Sequence, residues 1–136
     1  MRRLERLAAG FSFAAGALQA MAGPEHVEEW WVYGLFFYGA AVAQVAFGLA
    51  LLTQGIEGWG GWPAVRSWVY AVGIGGNLAV IALWVVTRTV GVPVGPEAFE
   101  PEGLGLLDVS SKTIELVLIA LLVWLMFLDQ KARRSA

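Results

Sequence analysis

The chain has 136 residues, of which 58% are hydrophobic and 15% charged, with a formal net charge of −2 and no cysteine. That composition is far from an ordinary soluble domain, and the missing cysteine excludes disulfides, thiolate metal sites, iron–sulfur clusters and thiol redox chemistry. Basic residues gather in the tails, which argues against nucleic-acid binding, and the single histidine, His26, excludes a bis-histidine haem built from one chain.

Four apolar stretches then follow in order, at about 7–23, 24–53, 66–87 and 109–128. Each approaches the ~20 residues needed to cross a hydrocarbon core. The expectation is an all-α fold, a single four-transmembrane-helix bundle covering residues 1–136.

Span 1 begins after Arg2, Arg3 and Arg6 and ends in Ala20-Met21-Ala22. A basic start, an apolar run and small residues outline a signal peptide; the reading adopted is a retained first helix of signal-anchor character. Ala8, Ser12, Gly16 and Ala20 recur every four residues, a small-residue stripe that lets helices approach closely.

Span 2 is expected to start at Pro24, because proline suits the first helical position and Glu25 and Glu28 complement the positive end of the helix dipole. The segment 54–65 holds Gly55, Gly58, Gly60, Gly61 and Pro63 and reads as a turn. Span 3 carries a second small stripe, Ser67, Ala71, Gly75 and Ala79, so spans 1 and 3 are expected to make the close contacts, within the bundle or in a homo-oligomer or with a partner membrane protein. Span 4 is leucine-rich with few small residues and is expected at the periphery.

Residues 88–108, between spans 3 and 4, contain three prolines and four glycines, which rule out a regular helix. They also keep Val90, Val92, Val94, Phe99, Leu104, Leu106 and Leu107, too apolar for a solvated linker. The expectation is an ordered lid on the mouth of the bundle.

Charge sets the orientation. Arg2, Arg3, Arg6, Arg66, Lys131, Arg133 and Arg134 mark one side as cytoplasmic by the positive-inside rule, with both termini there. The other side carries Glu25, Glu28, Glu29, Glu97, Glu100, Glu102 and Asp108. A bacterial-type inner membrane is the expected location. Trp30, Trp31 and Trp84 sit towards the acidic side and Trp59, Trp62, Trp68 and Trp124 towards the basic one, the two-belt pattern of interfacial aromatics.

Ionisable groups within a span are costly and tend to mark function. Asp108, Lys112 and Glu115 share one face of span 4; His26, Glu29 and Tyr33 share a face, continued by Gln44; span 3 adds Asn77, Trp84 and Arg88. Three arrangements fit. One is an ion-pair network in which Lys112 bridges Asp108 and Glu115 while Arg88 takes another carboxylate. A second is a divalent metal site, for an ion such as zinc, on His26, Glu29, Asp108 and Glu115. The third is a pocket for a small or lipid-like ligand, with Tyr33, Gln44, Asn77, Trp84, Arg88 and Lys112 as binding residues. No Walker loop or dinucleotide fingerprint occurs, and no nucleophile elbow surrounds Ser110 or Ser111. No catalytic residue is assigned.

The run TRTVGVPVGP with Asn77, Trp84, Glu100 or Glu102, Asp108, Lys112 and Glu115, together with EHVEEWWVYGLFF, resembles a set of small bacterial four-helix integral membrane proteins. The general plan is similar to DoxX-like four-span bundles. The resemblance implies fold and location, not an activity. The functional expectation is a non-enzymatic protein that binds, or helps transport, a cation or small ligand in an acidic outer vestibule. The alternatives are an accessory subunit of a larger membrane complex and a membrane enzyme that moves a proton on a lipophilic substrate.

Overall fold

A computed structural model describes residues 1–57 and 63–135. It is all-helical, with α1 at Arg2–Glu29, α2 at Trp31–Glu57, α3 at Pro63–Thr89 and α4 at Leu106–Arg134. Three of these contain stretches long and apolar enough to cross a membrane: Trp31–Thr53, Ala64–Thr89 and Leu106–Arg134. The first helix falls short because alanine, glycine, Ser12 and Gln19 dilute its hydropathy. Those same small and polar residues form its buried face. Packing, rather than lipid contact, has set the composition of α1.

The second helix starts later than the sequence suggests. Pro24 lies inside α1, which continues to Glu29. A single residue, Trp30, then turns the chain: its backbone is extended (φ −162°, ψ 127°) and its N–H donates to the His26 carbonyl at 3.0 Å. The helix continues past the proline because Pro24 removes one donor yet keeps a helical φ, and the reversal is achieved where the backbone becomes extended.

From that corner α1 and α2 run back along each other as a tight antiparallel pair. Glycine on one helix faces a bulky side chain on the other. A Cβ at Gly34 would come within 1.9 Å of Val27, at Gly23 within 2.7 Å of the Tyr38 ring, and at Gly48 within 2.6 Å of the Phe13 ring. The pairs 27 with 34, 23 with 38 and 13 with 48 share one register. The stripe on α1 therefore serves its contact with α2, not α3. The stripe on α3 points outward, with Ala71, Gly75 and Ala79 exposed.

Nor is α4 peripheral. It packs against both α1 and α3, and Leu118, Leu122 and Leu125 are fully buried in the core with Ala8, Ala9, Leu51 and Tyr70. Leucine buries far more apolar area than alanine, so a core built from an alanine-rich α1 takes much of its bulk from α4. The α2 and α3 helices, by contrast, barely meet. Gly73 seats the Phe47 ring at their closest approach, and a groove separates them elsewhere.

The expected turn at 54–65 is narrower. Gly55 belongs to α2 and Pro63 opens α3, where a proline costs no hydrogen bond. Gly58, Trp59, Gly60, Gly61 and Trp62 lie outside the described residues. On the outer surface Leu35, Val42, Leu49, Trp68, Val72, Leu116, Val123 and Trp124 are exposed. So large an apolar surface belongs in lipid.

Candidate binding pocket at the acidic end

The segment between α3 and α4 is folded over the end of the bundle. The Glu102 N–H donates to the Thr87 carbonyl at 2.9 Å, and the Phe99 N–H to the Val92 carbonyl at 2.9 Å. The Tyr33 hydroxyl, on α2, donates to the Val94 carbonyl at 2.9 Å. Gly95 (φ +105°) lies so close to Tyr33 and Trp30 that a Cβ would come within 2.5 Å of the Tyr33 oxygen. Only glycine fits both that backbone and that contact.

Arg88, on the last turn of α3, ties the lid to the bundle. Its guanidinium pairs with Glu102 from the lid and Asp108 from α4, and also donates to the Thr87 hydroxyl at 2.9 Å. The cation stands 5.7 Å from the Trp84 ring centre, a cation–π contact. Lys112 holds Glu115 instead, with Nζ at 2.7 and 2.6 Å from the two carboxylate oxygens. Gln19 Nε2 and the Ser111 hydroxyl donate to the same carboxylate at 2.9 and 3.2 Å. The expected bridge from Lys112 to Asp108 is thus replaced by two separate ion pairs: Asp108 is claimed by Arg88, and Lys112 reaches only three residues along its own helix.

Beneath the lid lies a cavity of about 220 Å³. Tyr33, Trp84, Arg88, Lys112, His26 and Asp108, all singled out from sequence, line it, with aromatic walls from Trp30, Phe36 and Phe37. The His26 ring is 4.0 Å from that of Phe37, and its Nδ1 lies 2.9 Å from the Ala22 carbonyl. Nδ1 carries a hydrogen there, because a carbonyl only accepts.

The other named residues lie elsewhere. Glu115 is fully buried behind Lys112 and Gln19. Glu29 is exposed at the end of α1. Partial burial pushes its carboxyl above the ordinary value, His26 pulls it down, and Glu102, Glu97 and Glu25 add to the rise. Gln44 and Asn77 sit deeper, in a hydrogen-bonded chain. The Ser12 hydroxyl lies 2.8 Å from Gln44 Oε1, Gln44 Nε2 donates to Asn77 Oδ1 at 2.8 Å, and Asn77 Nδ2 donates to the Gly73 carbonyl at 2.8 Å.

The metal set is not assembled. No group of three or more histidine, aspartate or glutamate side chains able to hold an ion forms among the described residues. Of His26, Glu29, Asp108 and Glu115, two are held by cations, one accepts from Gln19 as well, and Glu29 stands apart. Asp108 and Glu115 each found a nearer cation, Arg88 and Lys112, whereas the expected common face of His26, Glu29 and Tyr33 is broken at Trp30, with His26 and Glu29 on α1 and Tyr33 on α2.

Two features escaped the sequence reading. One is a polar cluster at the basic end, where the Tyr70 hydroxyl donates to buried Glu5 at 2.6 Å and Ser67 to Asp129 at 3.1 Å, with Arg66 3.7 Å from Glu5 and 3.9 Å from Asp129. Glu5 and Asp129 each lie near arginines in a basic tail, which masked them. The other is the polar atoms that the folded chain leaves without partners. Among the described residues four buried side-chain atoms lack one: Glu5 Oε2, Gln19 Oε1, Trp84 Nε1 and Arg88 Nε. Three of the four belong to residues lining the cavity.

Neither protein-family models, nor curated proteins, nor solved structures provide a match to this chain. The likeness to compact four-span bundles rests on the sequence alone.

Proposed function

We propose that this is a four-span membrane protein that binds a small, uncharged, hydrogen-bonding ligand in the lidded pocket at its acidic end. The observation that carries the reading is that three residues lining one cavity each bear a buried polar atom without a partner: Trp84 Nε1 and Arg88 Nε as donors, Gln19 Oε1 as acceptor. A buried polar atom left unpaired costs about 1–3 kcal/mol, so three at one place argue for something that completes them. Water would serve in part, but the aromatic walls favour a ligand with an apolar body.

Charge favours a neutral head. The pocket region contains Arg88 and Lys112 against Glu102, Asp108 and Glu115, with every one of these groups in an ion pair. An added anion would meet a surplus of carboxylate, and an added cation would leave the two free donors unsatisfied. A hydroxyl can both accept from Trp84 or Arg88 and donate to Gln19. The small-ligand half of the vestibule reading is therefore preferred to the cation half.

The crossing count rests on packing. The first helix has 28 residues, about 42 Å at ~1.5 Å per residue, and lies along α2 for most of that length. It would cross with its polar edge covered. Both termini would then be on the cytoplasmic side of a bacterial-type inner membrane, where Arg2, Arg3, Arg6, Lys131, Arg133 and Arg134 gather.

The test is calorimetric titration of the purified protein in nanodiscs with para-ethylphenol, whose ring and hydroxyl match the pocket. Saturable binding is expected, weakened about tenfold in Trp84→Phe, which removes one donor and keeps the bulk. Binding that is absent, or identical in Trp84→Phe, refutes the reading.

A further inference from the structure

The pocket does not end at the bundle's core. It shares Phe36, Ala40 and Val80 with the groove that separates α2 from α3, a space of about 470 Å³. The two helices barely meet along that side, so the groove is open towards the surroundings of the bundle. Its walls are small and apolar: Gly39, Ala43, Val72 and Gly76, with Gln44 and Asn77 at the floor paired to each other. An added Cβ at Gly39 or Gly76 would touch nothing within 4 Å. The mouth on the aqueous side is different. The Tyr33 bond to Val94 and the Arg88 pair with Glu102 strap the lid across it.

We infer that the ligand is an amphiphile, its hydroxyl-bearing ring in the lidded pocket and its hydrocarbon tail laid in the α2–α3 groove, and that it enters sideways from the bilayer between Phe36, Ala40 and Val80. The inference rests on the pocket reading above and adds the tail and the route. Three observations meet in it. Three of the four unpartnered buried polar atoms among the described residues belong to side chains at the lidded end, the fourth being Glu5 Oε2 at the basic end. The only partners the groove's own polar side chains need are already present. The two adjoining spaces, which share Phe36, Ala40 and Val80 as walls, extend along α3 from Trp84 past Val80 to Gly76, a rise of about 12 Å at ~1.5 Å per residue, which suits an alkyl chain of moderate length. A tail gains little from leaving lipid for an apolar groove, so the head supplies the affinity while the groove selects which molecules fit.

The experiment compares para-ethylphenol with para-dodecylphenol on the nanodisc protein and on Gly76→Trp, which fills the groove from a position with open space around it. The expected result is that Gly76→Trp binds para-ethylphenol as the unmodified protein does and para-dodecylphenol about tenfold or more weakly, an overpacking penalty confined to the tail. If the long probe binds Gly76→Trp unchanged, or both probes weaken equally, the tail and the lateral route are overturned while the pocket stands. If neither probe binds the unmodified protein, the pocket reading falls and takes this inference with it. Gly39→Phe, on the opposite wall, gives the same comparison if Gly76→Trp does not fold.

Discussion

Replacing Lys112 by methionine isolates the most enclosed charge pair in the bundle. Glu115 is 0% exposed and accepts four hydrogen bonds, two from Lys112 and one each from Gln19 and Ser111. Lys112→Met removes the only cation bonded to it and leaves two neutral donors. Breaking a buried pair by deleting one partner costs about 3–5 kcal/mol, because a charge remains buried without its counterpart. The two surviving donors argue for the lower end, about 3 kcal/mol. The double variant Lys112→Met with Glu115→Leu removes both charges. It should recover much of the loss, since apolar side chains replacing a buried pair are often neutral or better. Its remaining deficit comes from the amide of Gln19, which loses its acceptor. Reversible unfolding in mixed micelles measures all four corners of the cycle. A single variant within about 1 kcal/mol of the parent, or a double variant as unstable as the two single losses added together, would refute the view of Glu115 as a fully desolvated partner of Lys112.

Four further outcomes follow from the same geometry. Gly48→Leu should destabilise the protein by about 1–3 kcal/mol in the same unfolding assay, because the new side chain must displace the Phe13 ring. Gly39→Ala, with open space around it, should be neutral or stabilising by up to about 1 kcal/mol, so a large loss there would show that the α2–α3 groove is closed. Tyr33→Phe removes the lid's hydrogen bond to Val94, and hydrogen exchange of the lid backbone should accelerate with little change in global stability. The raised Glu29 carboxyl holds its proton more tightly in the folded chain than in the unfolded one, so its unfavourable effect is absent below the ordinary glutamate range and grows as pH rises through the folded value. Glu29→Gln should therefore be neutral at low pH and stabilising near neutrality; destabilisation at neutral pH would contradict the sign.

Much of the architecture was legible in the order of the residues. Long apolar runs gave the helices and their number, and the apolar, proline-broken segment 88–108 gave the lid. Helix neighbours were harder. The stripes on the first and third helices look alike in sequence, yet Gly16 meets α2 while Gly75 faces outward. A stripe says that a helix can be approached closely, not by what. The one-residue corner at Trp30 decided the matter: it forces α1 onto α2 and leaves α3 to α4. The polar groups followed a similar logic. Tyr33, Trp84, Arg88, Lys112, His26 and Asp108 line one cavity, whereas Gln44 and Asn77 pair with each other one layer lower. Of the expected ion pairs, Lys112 with Glu115 and Arg88 with a carboxylate are present, whereas Asp108 goes to Arg88, which also takes Glu102 from the irregular lid.

The hairpin at Trp30 has a consequence for how the chain is made. Ser12, a polar group near the middle of α1, bonds to the carbonyl and side chain of Gln44 across the hairpin. Alone in lipid, α1 would carry that hydroxyl and its exposed glycine backbone into hydrocarbon with little apolar area to offset them. Zipped to α2 it has them covered, and zipping needs only a one-residue link and contacts close in sequence, the fastest kind to form. In the proposed four-span topology the two helices would therefore behave as one insertion unit, with the strongly apolar second helix carrying the weakly apolar first. A long flexible linker placed at Trp30 would break that partnership during synthesis even if the finished bundle could still accommodate it.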